Sequence, residues 1–404
     1  MDNKKKILFY SATAPTVMLS KIAKVFQEYG YYTILYTMCE NDKIDYDFYN
    51  KTFDKIVSSN FQFFRPSIKS VPYLMLRGPY FLRFLLYMKF SKPYAVIGVC
   101  GNNWQLRIVH KYLLKKIPFI YFPYDILSHF YKSKEEALKA GVKDFEIESE
   151  KYCFENSDLI MHKGAPYELK YVEGRIFDKI NFSPDINFQP YCSDDYKIPL
   201  NKNKLSKKDN ELHIVYTGFL ANNPESKKIF LDYFESLLKQ KIHLHIYTLV
   251  SHIPKEDEKK YIDDFFSSII NEKYLHIHEA LDAKNLITEI SKYDFSIWLS
   301  YETNLNNVEQ VYGSGNKIST YLEAGLPILY NEKSVYLGKL LDKYGIGIRF
   351  TSKNLKTIKK RLKKLDYIKF ENNILKSRDK FDMNYNFPRL EKMIKKVVEI
   401  KNKK

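Results

Sequence analysis

The chain has 404 residues, which suggests two or three domains, and its 45% hydrophobic content with only 14 glycines excludes a low-complexity or fibrous protein. A formal net charge of +17 favours an anionic partner, whether nucleic acid, a phosphorylated substrate or an anionic membrane surface; it does not choose among them, and a solvated lysine-rich surface accounts for it equally. Cys39, Cys100, Cys153 and Cys192 are scattered, form no CxxC and suit a reducing compartment; no uncharged stretch approaches the roughly 20 apolar residues of a membrane span.

At the start, Lys4 to Lys6 precede the apolar run Ile7–Tyr10. Ser11, Thr13, Pro15 and Thr16 break that run, so it reads as a first strand and not as a targeting segment. Further apolar runs fall at Tyr32–Met38, Tyr94–Cys100, Ile117–Phe122 and Leu159–Met161, with helical patterns at Ser20–Tyr29 and Gln105–Lys115. Alternation of this kind predicts a parallel sheet covered on both faces. The theme restarts with runs at His213–Tyr216, His243–Tyr247, Leu275–His278, Phe295–Leu299, Pro327–Tyr330 and Ile346–Phe350. Helical patterns lie between them at Lys227–Lys239, Glu256–Ile270, Ala283–Lys292, Ile318–Ala324 and Tyr336–Lys343. The polar stretch Asn201–Asn210 reads as the linker. The expected fold class is α/β, with two Rossmann-like doubly wound domains and a cleft between them. Residues 1–200 form the first domain, 201–385 the second, and 386–404 a basic helix that packs back on the first.

The segment from Gly313 to Ile328 carries the clearest chemistry. Gly313, Ser314 and Gly315 permit close approach of a ligand and lead directly into a helix, whose free N–H groups suit a diphosphate. Asn316, Ser319 and Thr320 add donors and Lys317 adds a full charge. Such a group would stabilise a departing diphosphate without a metal.

This segment, with Lys317 opening a helix that ends in Tyr321-Leu322-Glu323-Ala324-Gly325-Leu326-Pro327, resembles the donor-binding segment of GT-B glycosyltransferases, closest to group 1 (family 4). Ile214–Gly218, Ser291–Ile297 and Glu150–Ile160 resemble other pieces of that group in order and spacing, so the likeness spans nearly the whole chain. It implies a glycosyltransferase that moves a sugar from a nucleotide-sugar to a glycan or lipid-linked acceptor, with retention and without a cofactor or metal. The second domain would bind the donor and the first the acceptor. The resemblance also implies donor contacts from Gly218, His278 and Tyr301, and a ribose contact from Glu323. Lys317 is the catalytic cation, and Asp125, in Tyr121-Phe122-Pro123-Tyr124-Asp125, carries acceptor-side polar chemistry or caps a helix. His129 and Lys163-Gly164 are further candidates. The family's fuller pattern has a second Glu eight positions before Glu323; here Gly315 stands there, with Glu302 or Glu309 as candidate substitutes.

Three signals point elsewhere. Asp45-Tyr46-Asp47 has the spacing of a metal-binding DxD, but nothing around it supports the fold that uses one. His243/His245 and His276/His278 each put two imidazoles on one strand face, without a familiar zinc spacing, and read as core or cleft-facing histidines. Phe64–Phe90 is basic and aromatic with no acid, which suits either a buried helix or peripheral contact with an anionic membrane at the cytoplasmic face. A sugar-nucleotide 2-epimerase of the same architecture is the first alternative. A nucleic-acid-binding protein lacks a recognised module here, and a dinucleotide oxidoreductase lacks a G-x-G-x-x-G after its first strand.

Overall fold

The computed structural model describes residues 4–11, 16–37, 51–58, 86–99, 103–220, 224–248, 257–270, 272–299, 311, 313 and 315–403. The chain divides into two compact units: Met1–Gln189 with Asn386–Lys404, and Pro190–Tyr385.

The first unit is built on a seven-stranded sheet: β1 (Lys6–Ser11), β2 (Tyr32–Thr37), β3 (Lys55–Ser58), β4 (Ala95–Val99), β5 (Phe119–Phe122), β6 (Leu159–His162) and β7 (Asp185–Asn187). The spatial order is β3-β2-β1-β4-β5-β6-β7 and every pair is parallel. The central strands are buried along almost their whole length, as expected of a sheet covered on both faces. Helix α1 (Val17–Glu28) starts at Thr16, whose hydroxyl accepts from the Leu19 N–H, and buries Met18, Leu19, Ile22, Ala23 and Phe26. Helices α2 (Asn103–Val109) and α3 (Asp144–Asn156) cover the sheet beyond β4.

The second unit has a six-stranded sheet: β8 (His213–Thr217), β9 (His243–Tyr247), β10 (Leu275–His278), β11 (Phe295–Trp298), β12 (Ile328–Asn331) and β13 (Gly347–Phe350), again all parallel, in the order β10-β9-β8-β11-β12-β13. Its helices include α4 (Ser206–Asp209), α5 (Pro224–Leu238), α6 (Ala283–Ile290), α7 (Lys317–Glu323) and α8 (Tyr367–Lys380). In both sheets the strand order reverses beside the first strand, so each has a switch point, at β1/β4 and at β8/β11. In open α/β sheets, ligands bind outside the carboxyl ends of the strands at such a point.

The final helix, α9 (Met383–Asn402), joins the first unit from residue 386 onward. Phe387 packs edge-on against Phe26 at 4.7 Å, Glu391 accepts from the Tyr31 hydroxyl at 2.8 Å, and the Lys401 ammonium lies 2.9 Å from the Asp158 carboxylate. The first boundary differs from the sequence-based expectation of residue 200, falling after Gln189 instead. The reason is visible in the bonds of the intervening segment. Cys192 bridges to Asp382, Ser193 N–H reaches Glu323, and Leu205 N–H reaches the Lys292 carbonyl. This loop is stitched into the second unit although its composition reads as linker.

Candidate functional site

The C-terminal end of β8 leads through Thr217 into Gly218, whose φ of +126° lies in the left-handed region. A Cβ at Gly218 would lie 2.6 Å from Lys317 Cε and 2.8 Å from Nζ, so the missing side chain is what admits the lysine. Lys317 opens α7, and its ammonium lies 4.6 Å from the centroid of the Tyr216 ring and 5.4 Å from that of Trp298. Tyr216 ends its turn nearby, its hydroxyl donating to the Phe219 carbonyl at 2.6 Å. The Lys317 Nζ stands 3.4 Å from the same hydroxyl. Tyr216 and Trp298 come from β8 and β11, the two strands that flank the switch point. Lys317 therefore sits where the topology directs a ligand.

The charge state of Lys317 follows from these surroundings. Burial lowers its pKa to about 8. Two aromatic faces compensate in part, but among the described residues no carboxylate pairs with it. Gly315 lies on the Trp298 indole, with no room for a Cβ. That packing explains why the acidic residue of the resembled pattern is absent: a glutamate at 315 would have to displace the ring that the lysine uses.

The helix itself is anchored from beneath. The Tyr321 hydroxyl donates to the Ile297 carbonyl at 3.2 Å and accepts from the Thr217 N–H at 3.1 Å, tying α7 to β11 and β8. At the far end, Arg378 of α8 donates to the carbonyls of Leu322, Glu323 and Ile198 at 2.7, 2.8 and 2.7 Å. It thereby satisfies helix-end carbonyls that have no partner within the helix.

Gly218, Gly315, Asn316, Lys317 and Thr320 thus lie together around the start of α7, and Gly313 directly precedes them. Ser319 is buried and its hydroxyl donates to the Asn316 carbonyl. Glu323 is not brought to this group. It is fully buried, and its Oε1 accepts from the Ser193 N–H at 2.8 Å, so its carboxylate serves the loop that enters this unit. His278 is also elsewhere: its Nε2 lies 3.0 Å from His245 Nδ1 and its ring stacks on Tyr247 at 4.4 Å. Ser314, Tyr301, Glu302, Glu309, Asp45 and Asp47 lie outside the described residues. Trp298 and Tyr216 escaped the sequence reading; their places at the ends of the two switch-point strands were the available signal.

In the first unit a second polar group sits at the carboxyl ends of β5 and β6. Lys163, buried, places its ammonium 2.8 Å from Asp125 Oδ1 and 4.1 Å from the Tyr124 ring centroid. Asp125 is half exposed. The turn after it does not depend on Asp125 for a cap, since the N–H groups of Leu127 and Ser128 donate to buried Glu150 at 2.6 and 3.0 Å. Beneath Lys163, the fully buried His162 lies 2.6 Å from Glu168 Oε1 and 3.2 Å from Asp185 Oδ2. Burial pulls its pKa down, but the bonds to the two carboxylates outweigh this and raise it to about 9. His129 Nε2 lies 3.1 Å from the Glu168 carbonyl, inside the fold.

No family model and no curated protein sequence matches the chain. Solved structures match over nearly its whole length. Sucrose-phosphate synthase from Thermosynechococcus elongatus superposes with a TM-score of 0.68 at 11% identity, covering 99% of both chains. Anabaena Alr3699/HepE in complex with UDP and glucose gives 0.61 at 12%, over 98% of this chain and 99% of that one. WaaG, a glycosyltransferase involved in lipopolysaccharide biosynthesis, gives 0.58 at 12% over the same shares. This chain has the GT-B fold. At these identities the likeness shows the fold alone, and the GT-B chain's chemistry has to be read from its own residues. Among the described residues no helix is long and apolar enough to cross a membrane.

Proposed function

We propose that the GT-B chain is a glycosyltransferase that moves a sugar from a nucleotide-sugar to a glycan or lipid-linked glycan acceptor, at the cytoplasmic side of a membrane. The observation that carries this reading is Lys317: an ammonium held at the switch point against Gly218 and two aromatic rings, with no carboxylate partner among the described residues. A cation beside a glycine, without a carboxylate partner among the described residues, suits a diphosphate, whose negative charge grows as the sugar departs. Gly313, Gly315, Asn316 and Thr320 would line the same anion, with Lys317 in place of a divalent cation. HepE, a neighbour of the same fold, was solved with UDP and glucose, which makes uridine nucleotides the first donors to try. Retention at the anomeric carbon is the outcome that the family resemblance favours.

On the first unit, Asp125 and Lys163 are the polar groups best placed for an acceptor. Of the basic-aromatic segment at 64–90, only residues 86–90 are described; Leu86 and Phe90 are exposed there and Met88 is buried. The exposed pair supports peripheral membrane contact through this segment. A thermal-shift panel of nucleotide-sugars tests the donor claim, because a ligand that binds only the native state raises the melting temperature. At least one nucleoside diphosphate sugar should stabilise the protein, and adding magnesium or manganese should not raise turnover with it. A flat panel, with shifts only from duplex or single-stranded nucleic acid, would reverse the assignment.

A further inference from the structure

At the opposite end of β8 from Thr217 lies an arrangement that glycosyl transfer does not use. His213 opens β8 and His243 opens the adjacent β9, and the two residues are in register. Their rings stack face to face at 4.5 Å and 7°. Asp209, the last residue of α4, points its Oδ2 at both: 2.9 Å to His213 Nε2 and 3.8 Å to His243 Nε2. The three potential ligand atoms all lie within 4.8 Å of one another. His213 is buried, His243 is largely so, and Asp209 is 42% exposed.

We propose that Asp209, His213 and His243 form a binding site for a divalent transition-metal ion of the zinc type, with Asp209 facing solvent and a fourth position left to water. Two imidazoles and one carboxylate are a recurrent donor set for zinc, and they argue against magnesium or calcium, which prefer oxygen ligands throughout. Metal–ligand lengths of roughly 2.0–2.1 Å place tetrahedral ligand atoms about 3.3 Å apart. The two separations from Asp209, 2.9 and 3.8 Å, bracket that value, and the third lies within 4.8 Å, so binding requires the two rings to turn toward a common point.

The outer shell is built as metal sites require. A ligating histidine normally directs its second ring nitrogen to a fixed partner. Here His213 Nδ1 lies 2.9 Å from His245 Nε2, and His243 Nδ1 lies 2.8 Å from His276 Nε2. His245 Nδ1 continues to His278 Nε2 at 3.0 Å. The stack is braced by Tyr293, 4.1 Å from His245, and by Tyr274, 4.9 Å from His243. With no ion, the Asp209 carboxylate can only accept, so the proton of His213 Nε2 donates to it and, in neutral rings, the His213–His245 and His245–His278 bonds run toward Asp209. When His213 Nε2 ligates a metal, its proton sits on Nδ1, the His213–His245 and His245–His278 bonds reverse, and the Nε2–Asp209 hydrogen bond gives way to the shared ion. Along that branch one proton leaves His213 Nε2 and one is taken up at His278 Nδ1, so the proton count of the three rings is unchanged. The imidazole–imidazole bonds of that branch are therefore kept when the ion binds.

The site would clamp the turn after α4 to the first two strands of the second unit's sheet. Four residue steps of β8, about 13 Å, separate His213 from Thr217, so the ion would support the sheet without touching the donor. The inference stands apart from the donor-site reading: zinc should change stability, not turnover at moderate temperature.

The experiment uses the full chain with any affinity tag removed, stripped with chelator, re-equilibrated with zinc and freed of excess by gel filtration. A single retained equivalent is expected, with a rise in melting temperature. Cobalt in its place should give the visible absorption of a four-coordinate site with nitrogen and oxygen ligands. Asp209→Asn removes an exposed ligand with little change of shape and should abolish retention. His276→Ala, one shell out, should weaken affinity about 10–100-fold. Unfolding of both variants in chelator checks that the fold survives. No retained zinc in the parent chain, or zinc retained equally by parent and both variants, overturns the site.

Discussion

Two lysines, buried Lys163 in the first unit and half-buried Lys317 in the second, invite comparison. Lys163 follows β6 in the first unit and Lys317 opens α7 in the second; both lie near strand carboxyl ends, with an ammonium over a tyrosine ring at 4.1 and 4.6 Å. Lys163 has the Asp125 carboxylate at 2.8 Å, whereas Lys317 has no carboxylate among the described residues. A buried charge is costly unless it is compensated. The first unit meets that cost from within the fold. The second leaves it to be met by whatever binds. The difference identifies Lys317 as the stronger candidate for direct action on an anionic substrate, and Lys163 as a group that holds its neighbour in place.

The largest effect expected is on turnover. Lys317→Ala should lower kcat/KM by about 10²–10³, the usual cost of removing one donor from a preorganised charge-stabilising site, while the melting temperature stays level or rises because a desolvated charge is gone. With the lysine's pKa at about 8, kcat/KM should fall as pH passes that value, and a bound diphosphate should hold kcat up to higher pH. Steady-state kinetics across pH read both. Unchanged kinetics in the alanine variant would remove the contrast between the two lysines.

The next effect concerns stability in the first unit. His162 has its pKa raised from 6.5 to about 9. The folded state therefore binds this proton more tightly than the unfolded one. The stabilisation is complete below about pH 6.5 and is lost as pH rises through 9; linkage puts it on the order of 3 kcal/mol. Urea midpoints at pH 6.5 and 9 should differ in that direction, and His162→Gln should flatten the difference. A midpoint that rises with pH over this window would show that the histidine is neutral when folded.

Much of this architecture was legible because parallel strands buried on both faces read as continuous apolar runs. The central strands of both sheets appear in the sequence in that way, while the edge strands β10 and β13 of the second sheet, Leu-His-Ile-His and Gly-Ile-Arg-Phe, are placed by the strand–helix alternation. β3 and β7 are not. They are edge strands, one of them Lys-Ile-Val-Ser and the other three residues long, and an edge strand need not be apolar throughout. The glycine-rich entry to α7 and Lys317 were legible from residue type and spacing. Trp298 under Gly315 was not, because that contact crosses from one strand end to another loop. Glu323 shows the limit of face arguments on a short helix. One turn after Thr320, it is turned inward by a bond from Ser193, in the segment that precedes the polar linker. The histidine pairs on β9 and β10 were visible, but their junction with His213 and Asp209 depends on strand order, which periodicity does not encode.

The smallest effect distinguishes the two roles open to Asp125. If it serves only as the partner of Lys163, Asp125→Asn should cost little, because an ion pair with one half-exposed member contributes about 0–1 kcal/mol, and kinetics should not change. If it contacts an acceptor, the same substitution should leave donor binding intact and reduce kcat/KM for the acceptor, by about tenfold for a lost charged hydrogen bond of roughly 1.4 kcal/mol. The amide keeps the size of the carboxylate and can still accept from Lys163 through its oxygen, so a kinetic loss would not come from collapse of the turn, whose N–H groups are held by Glu150. Titrating donor and acceptor separately resolves the two outcomes. An unchanged acceptor dependence would leave the first unit's polar group as purely structural and move the search for acceptor contacts to the loop after β1.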